Sequence, residues 1–285
     1  MYFRRLVPDD APHLQAFLRD HQESSMFLLH NLRHGGLHFQ TARHQAEYFG
    51  VVSQGRLVGV VAHTWLNTLL LQAPDADVLE CLVKHLPRVL TRPVKGVLGP
   101  PVQCVELMEG LQLDRSGAFL DQDEPIYKLE LTRLKHLTMP AELRVVQPDA
   151  AHVSLLSAWR WAYLRDVLRF RPAEVLISRA EQDVWAAVEE QRAFVLERHG
   201  TPVAWCSFNA LSTDAVQLAG LWTPPEERGQ TFGKLVAMSA LAYARDVLGF
   251  KSATILLDEG NRAALACCET LGFDRVGRFS FTLWS

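Results

Sequence analysis

The chain has 285 residues, 48% apolar and 21% charged, with a formal net charge of -3, which describes a globular protein large enough for one big or two ordinary domains. That balance supplies no basic field for nucleic acid or an anionic membrane, so neither is expected as a partner. No run approaches the roughly 18 apolar residues of a membrane helix, and the opening M-Y-F-R-R-L-V-P-D-D has no signal-peptide core, so a cytoplasmic location is expected.

In chain order, R-R-L-V-P-D-D-A reads as a strand running into a capped helix. His30, His34 and His38 follow at i, i+4 and i+8, a metal-ligand spacing on one helix face, but Gly35 and Gly36 break that helix and no acidic residue joins the run. No metal is expected, and His30 and His34 read instead as possible walls of an acceptor site. V-V-S-Q-G-R-L-V-G-V-V-A, from Val51 to Ala62, is a hairpin turning at Gly55. L-L-L-Q-A-P then runs straight into the helical D-A-D-V-L-E-C-L-V-K-H-L, and M-E-G-L-Q-L-D-R-S-G-A-F closes the half at Phe119. A linker is expected over 131–143, where basic residues and Pro140 break the periodicity.

The second half repeats the first. R-V-V-Q-P-D-A-A matches the opening, a second hairpin turns at Gly200, and C-E-T-L-G-F-D-R-V-G-R-F at 268–279 overlays 108–119, with Glu109, Leu111, Asp114, Arg115, Gly117 and Phe119 returning as Glu269, Leu271, Asp274, Arg275, Gly277 and Phe279. Ala151 to Arg192 is helical by pattern, carrying Trp159, Trp161, Tyr163 and Trp185 with Arg165, Arg169 and Arg171; these aromatics read mainly as core, with a substrate role open for some. Five cysteines, with no C-x-x-C pair, argue against disulfides or zinc, and Cys81, Cys104 and Cys206 read as small buried hydrophobes.

One stretch has no counterpart in the first half. Between the strand V-Q-L-A-G-L-W-T and the helix L-V-A-M-S-A-L-A-Y-A-R-D-V-L stands P-P-E-E-R-G-Q-T-F-G-K. A turn feeding a helix leaves first-turn N–H groups unpaired at the positive end of the helix dipole, which suits a phosphate. Gly229 and Gly233 permit close backbone approach, Arg228 offers a fork of donors, and Lys234 adds a point charge, so a pyrophosphate is the expected guest. The loop is not a Walker motif, because Gly229 and Gly233 are one residue too close and Leu235 follows the lysine; nor does it supply G-x-G-x-x-G.

The loop, with Arg228 opening it and Gly233 closing it, resembles the acetyl-CoA loop [QR]-x-x-G-x-[GA] of the GNAT acetyltransferase superfamily, with Thr231 where the family usually has glycine. A strand from Ala253 to Leu257 and then N-R-A-A-L-A-C-C-E-T-L-G-F are similar to the family's closing element N-x-x-A-x-x-x-Y-E-x-x-G-F. The resemblance implies an α/β (α+β) protein of two tandem GNAT domains, each a mixed, mostly antiparallel sheet flanked by helices: 1–130, a degenerate copy lacking the pyrophosphate loop; the linker 131–143; and 144–285, the acetyl-CoA-binding copy. It implies acetyl-CoA as cosubstrate, held by Leu221, Trp222, Thr223, Arg228, Gly229, Gln230, Thr231, Phe232, Gly233, Lys234 and Asn261. A backbone N–H near Leu221 and Trp222 would polarise the thioester. Asn261 reads equally as a pantetheine ligand and as a helix cap.

Cys268 stands where the family carries its tyrosine general acid, and reads either as that acid or as a packed hydrophobe. No carboxylate lies within Val216 to Thr223, so Asp258, with Glu259 beside it, is the nearest candidate base, the alternative being a solvated turn leading into Asn261. Two functions follow: transfer of an acetyl group to a primary amine of a small-molecule or peptide acceptor by direct attack in a ternary complex, or non-catalytic acyl-CoA binding as a sensor or structural protein. Tandem architecture also resembles mycothiol synthase, without a motif that specifies that acceptor. Acceptor identity and oligomeric state stay open.

Overall fold

The repeat read from the sequence is a repeat of elements. In the computed structural model, which describes residues 1–167 and 174–285, the first copy runs β1 (Tyr2–Arg5), α1 (Ala11–Asp20), α2 (Met26–Gly35), β2 (Ala46–Ser53), β3 (Arg56–Thr64), β4 (Thr68–Gln72), α3 (Ala76–His85), β5 (Gly96–Gly99), α4 (Pro101–Gly110) and β6 (Leu120–Glu130). The second runs in the same order: β7 (Leu143–Val146), α5 (Val153–Asp166), α6 (Glu174–Glu189), β8 (Ala193–Arg198), β9 (Thr201–Leu211), β10 (Ala215–Trp222), α7 (Phe232–Asp246), β11 (Ser252–Leu256), α8 (Arg262–Leu271) and β12 (Asp274–Leu283).

Two compact units result. Unit 1 comprises Met1–Ile126 with Val276–Ser285, and unit 2 comprises Tyr127–Arg275. The expected division was 1–130, 131–143 and 144–285, and the structure differs from it at two places. The end of β12 pairs antiparallel with β5 of unit 1, Ser280 to Leu283 opposite Gly99 to Gly96. Sequence similarity marks what kind of strand a segment is, whereas its partner is set by which sheet edge it meets. The expected linker is also packed: Leu131 and Leu134 are buried in the core of unit 2, and the Leu137 N–H points to Met238 Sδ at 3.0 Å. Its leucines outweigh the proline and basic residues that suggested a break.

In unit 1 the strand order is β1-β2-β3-β4-β5-β12-β6, antiparallel from β1 to β4 and parallel between β4 and β5. Strand alternation divides its core. Phe49, Val51, Val61 and Leu71 face α3 and α4, while Tyr48, Val60, Ala62 and Leu70 face α1 and α2.

In unit 2 the order is β6-β11-β10-β9-β8-β7, with β7 to β10 antiparallel and β10 parallel to β11. One face packs Phe194, Leu196, Cys206, Phe208, Val216, Leu218 and Ile255 against α7 and α8. The other packs Val195, Trp205 and Trp222 against α5 and α6. The amphipathic α7 buries Leu235, Val236, Met238, Ala240, Leu241 and Ala244, burial worth about 1.5–3 kcal/mol for each large aliphatic side chain. It ends before Gly249, which has φ of 75° and follows the helix as expected for a chain reversal.

Candidate active site

The loop between β10 and α7 begins with a tight helical turn at Pro225–Glu227 and ends at Thr231, the residue before α7. Thr231 is left-handed, with φ of 64° and ψ of 5°, and Gly229 has φ of 81°. The first is a conformation a β-branched residue adopts at a cost of roughly 1–2 kcal/mol, which tertiary packing must offset. Among the described residues, the N–H groups of Gly229, Gln230, Thr231, Phe232 and Gly233 have no acceptor. They form a run of unsatisfied donors at the start of a helix of 15 residues, the electrostatic environment an anion requires. A Cβ on Gly229 would meet no heavy atom within 4 Å, and one on Gly233 would lie 3.4 Å from Thr223 Oγ1.

The loop is braced from one side. Arg198 at the β8–β9 turn donates to Glu227 at 2.8 Å and to Gln230 at 3.2 Å, Gln230 donates to Glu227 at 3.1 Å, and the Arg198 guanidinium lies 5.5 Å from the Phe232 ring centre. Arg228 is exposed and oriented by two contacts: its Nε donates to the Thr223 carbonyl at 3.0 Å, and its guanidinium carbon lies 4.9 Å from the Trp222 ring centre. Its terminal nitrogens have no hydrogen-bond partner among the described residues. Lys234 is turned away from the loop and donates to Thr270 Oγ1 on α8 at 2.9 Å. The sequence placed its charge at the loop; helical geometry swings position 234 toward the neighbouring helix instead.

Next to the loop the sheet opens. β10 pairs with β11 only from Ala215 opposite Ser252 to Leu218 opposite Ile255, although β10 continues to Trp222. Within that free end lies a bulge: Ala219 is opposite Ser207 and Trp222 opposite Trp205, so β10 carries one extra residue. Gly220 sits in it with φ of 63°, and a Cβ there would lie 3.3 Å from Ser207 Oγ. A bulge leaves a residue out of the ladder and turns its backbone groups away from the partner strand. Leu221 and Trp222, to which the sequence assigned thioester polarisation, lie on the part of β10 beyond its pairing with β11. Gly220 was missed, and its signal was present as an isolated glycine within an apolar strand.

Unit 1 closes the corresponding place. β4 and β5 pair from Thr68 opposite Gly96 to Leu70 opposite Leu98, and the next glycine, Gly99, packs so tightly that a Cβ would be 2.9 Å from the Leu71 carbonyl. The Ala73 N–H just beyond β4 donates to Gln103 Oε1 at 2.8 Å.

Residues 155–273 match the Acetyltransferase (GNAT) family. The matched residues fall within unit 2. Mycothiol acetyltransferase from Thermobispora bispora is 32% identical over 107 residues, 35% of either chain, so the match spans about a third of that relative's length. Across nearly the whole chain the fold is shared with solved structures of low identity. A Drosophila protein aligns over 99% of this chain and 98% of its own, with a TM-score of 0.68 at 15% identity. A tandem GNAT protein from the clavulanic acid biosynthesis pathway aligns over 99% and 97%, with a TM-score of 0.56 at 12% identity.

In this GNAT fold Asn261 caps α8, its side-chain oxygen accepting from the Ala264 N–H at 3.1 Å. Asp258 accepts from the Gly260 N–H at 2.8 Å, and Glu259 pairs with Arg275 at 3.2 Å, so both acids are engaged in the turn that leads into the cap. Cys268 is 2% exposed within the core shared with α7. Burial pushes its thiol well above the ordinary range, with the Cys267 thiol and the Glu269 carboxylate adding to the shift.

Trp159 and Tyr163 pack against the buried cluster that includes Trp222, Tyr163 edge-on to that ring at 6.5 Å between ring centres, and Arg165 pairs with Asp166 at 2.6 Å. Arg169 and Arg171 lie outside the described residues. In unit 1 both His30 and His34 fall within α2, their ring centres 4.2 Å apart, and an unanticipated His44 joins them at 4.6 Å from His30. His38 lies beyond the helix, which stops at Gly36 with φ of 64°. His34 Nδ1 is held at 2.8 Å from the His30 carbonyl, and among the described residues no three acidic, histidine or cysteine side chains are arranged to hold a metal ion.

Proposed function

We propose that unit 2 binds acetyl-CoA at the β10–α7 loop and transfers its acetyl group to a primary amine of a small-molecule or peptide acceptor. The observation that carries this reading is the run of unpartnered N–H groups from Gly229 to Gly233 beside the opened end of β10. The residues present fit the cofactor: the loop offers backbone donors and the free guanidinium face of Arg228 to a diphosphate, and the space over Gly229 is open. Leu221, Trp222 and Thr223 would line the pantetheine on the free strand end.

Acetyl-CoA supplies an activated acyl group. The chain's own task is to hold the thioester carbonyl against a backbone donor at the bulge and the amine in line with it. The amine nitrogen attacks the carbonyl carbon, a C–N bond forms as the C–S bond breaks, and the amine's surplus proton leaves as the thiolate gains one. Asp258, itself or through water, is the candidate acceptor of the amine proton. For the thiolate, Cys268 is the residue at the family's acid position, but its burial in an apolar core supports packing. Unit 1, with its strand ends closed at Gly99 and no loop, is read as the degenerate copy.

Incubating the full chain with acetyl-CoA and a panel of amines, and following free thiol, tests the transfer. Amine-dependent thiol release supports an acetyltransferase. Tight acetyl-CoA binding with no release for any amine supports the non-catalytic acyl-CoA binder.

A further inference from the structure

Unit 2 carries a cluster of polar side chains that the acetyl-CoA loop does not use. On β10, Val216 and Leu218 point into the core beneath α7, so Gln217 between them points to the α5 and α6 face; on β11, Ala253 and Ile255 do the same for Thr254. Gln217 and Thr254 are direct partners across the parallel pair. Trp205 and Trp222 are direct partners across the antiparallel pair and lie on this same α5 and α6 face. The four are 1–4% exposed. Among the described residues, Gln217 Oε1, Thr254 Oγ1, Trp205 Nε1 and Trp222 Nε1 are all buried without a hydrogen-bond partner, as is Ser157 Oγ on the overlying α5.

Buried polar atoms without partners cost roughly 1–3 kcal/mol each, and in folded proteins they are rare. Several on adjoining strands of one face, next to the bulge where the acyl group would be presented, call for a common cause. We infer that Gln217, Thr254, Trp205 and Trp222 form the recognition subsite for an uncharged, hydroxyl-bearing portion of the amine acceptor. The inference rests on the acetyltransferase reading given above.

The chemistry of the four groups selects the ligand class. Indole N–H groups only donate, the Gln217 oxygen only accepts, and the Thr254 hydroxyl does both. A hydroxyl satisfies all three. A carboxylate cannot donate to Gln217, and burying it here would leave an anion without a countercharge, which is far more costly than burying a neutral group. Among the described residues, Arg160 faces Asp183 at 3.5 Å, and Arg228, anchored on Thr223 through Nε, keeps its terminal nitrogens for the cofactor's diphosphate. An alkyl chain would leave every one of these polar atoms unsatisfied. Gln217 stands three residues before Gly220, about 10 Å along the strand at ~3.3 Å per residue, and Trp222 stands just after it, so an acceptor with its amine at the bulge meets the indole pair there while hydroxyls trailing back along β10 reach Gln217 and Thr254.

The experiment compares three amines of one chain length, glucamine, hexylamine and aminohexanoate, with the full-length protein, its Thr254→Val and Gln217→Met variants, and acetyl-CoA. In the unsubstituted protein glucamine should exceed the other two in kcat/KM by about tenfold or more, the equivalent of one well-placed hydrogen bond. Both variants should bring that ratio toward one and leave acetyl-CoA affinity unchanged. Both should also raise the melting temperature of the free protein, because each removes a buried atom that has no partner, whereas loss of a merely structural contact would lower it. Equal selectivity in all three proteins, or no preference for glucamine, overturns the inference. Should no amine be acetylated, the transfer reading fails, and calorimetric binding of glucamine to the acetyl-CoA-loaded protein still decides the subsite. Binding that both variants weaken upholds it, and no binding, or binding equal in all three, overturns it.

Discussion

Arg228 lies over the ring of Trp222, 4.9 Å from guanidinium carbon to ring centre, while its Nε donates to the carbonyl of the next residue, Thr223, at 3.0 Å. The side chain is therefore held by the strand before the loop, and its remaining N–H groups have no hydrogen-bond partner among the described residues. Arg228→Ala is expected to weaken CoA binding by about 1–3 kcal/mol, the range for a charge-assisted contact to an anion. Arg228→Lys should recover little of it, since an ammonium neither stacks on Trp222 as well nor offers a fork. Calorimetric titration with CoA measures both, and unchanged affinity in Arg228→Ala removes this side chain from the site.

Gly233 is distinguished from Gly229 by what surrounds it. A Cβ on Gly233 already sits 3.4 Å from Thr223 Oγ1 and 3.8 Å from Leu221 Cδ1, so Gly233→Val should push into the strand end where the pantetheine is proposed to lie. The expected outcome is loss of measurable CoA binding with a modest change in melting temperature. For Gly229→Ala, no atom obstructs the new Cβ, but φ of 81° strains any side chain by roughly 1–2 kcal/mol. That variant should lose stability before it loses affinity.

One CoA per chain is the expected stoichiometry. In unit 1 the strand ends meet at Gly99 and Leu71, and the backbone donor beyond β4 is already taken by Gln103. Calorimetry or native mass spectrometry reads the number directly, and two CoA molecules per chain would mean that unit 1 builds a diphosphate site from other groups.

Cys268 is packed among apolar side chains at 2% exposure. Cys268→Ala should lower stability by about 1–2 kcal/mol, as for other small core truncations, and keep kcat within a few-fold. A fall of about a hundredfold in kcat at unchanged acetyl-CoA affinity would instead assign the thiol as the proton donor, that being the range of general acid catalysis.

His63 makes a pH-dependent contribution that is independent of the site. It is 0% exposed, its Nε2 lies 3.2 Å from the Pro93 carbonyl, and burial, helped by the Arg92 charge, pulls its pKa down to about 4. A folded value below the unfolded value of about 6.5 means that the unfolded chain binds the proton more tightly. Stability is therefore whole above about pH 6.5 and is lost as pH falls toward 4, at up to about 1.4 kcal/mol per pH unit. Urea midpoints of the native protein and His63→Gln at pH 7 and pH 5 test it: the variant should show the smaller drop, and parallel drops would exclude His63 as the cause.

Much of this protein was present in the order of its residues. Local patterns made the repeat visible, because each copy must build the same strands and helices from its own periodicity, and the glycines and arginine from 228 to 233 marked an anion loop, because backbone freedom and donor chemistry belong to residues in sequence. What depends on neighbours distant in the chain was decided only by folding. Thus β12 pairs with β5 rather than remaining within its own half, Leu131 and Leu134 are drawn into a core, and Lys234 turns to Thr270. The same holds for the polar face of unit 2. Gln217, Thr254, Trp205 and Trp222 are scattered over three strands, and no spacing links them. Strand alternation and register bring them onto one face, where burial without a partner gives each a cost that its sequence position alone does not reveal.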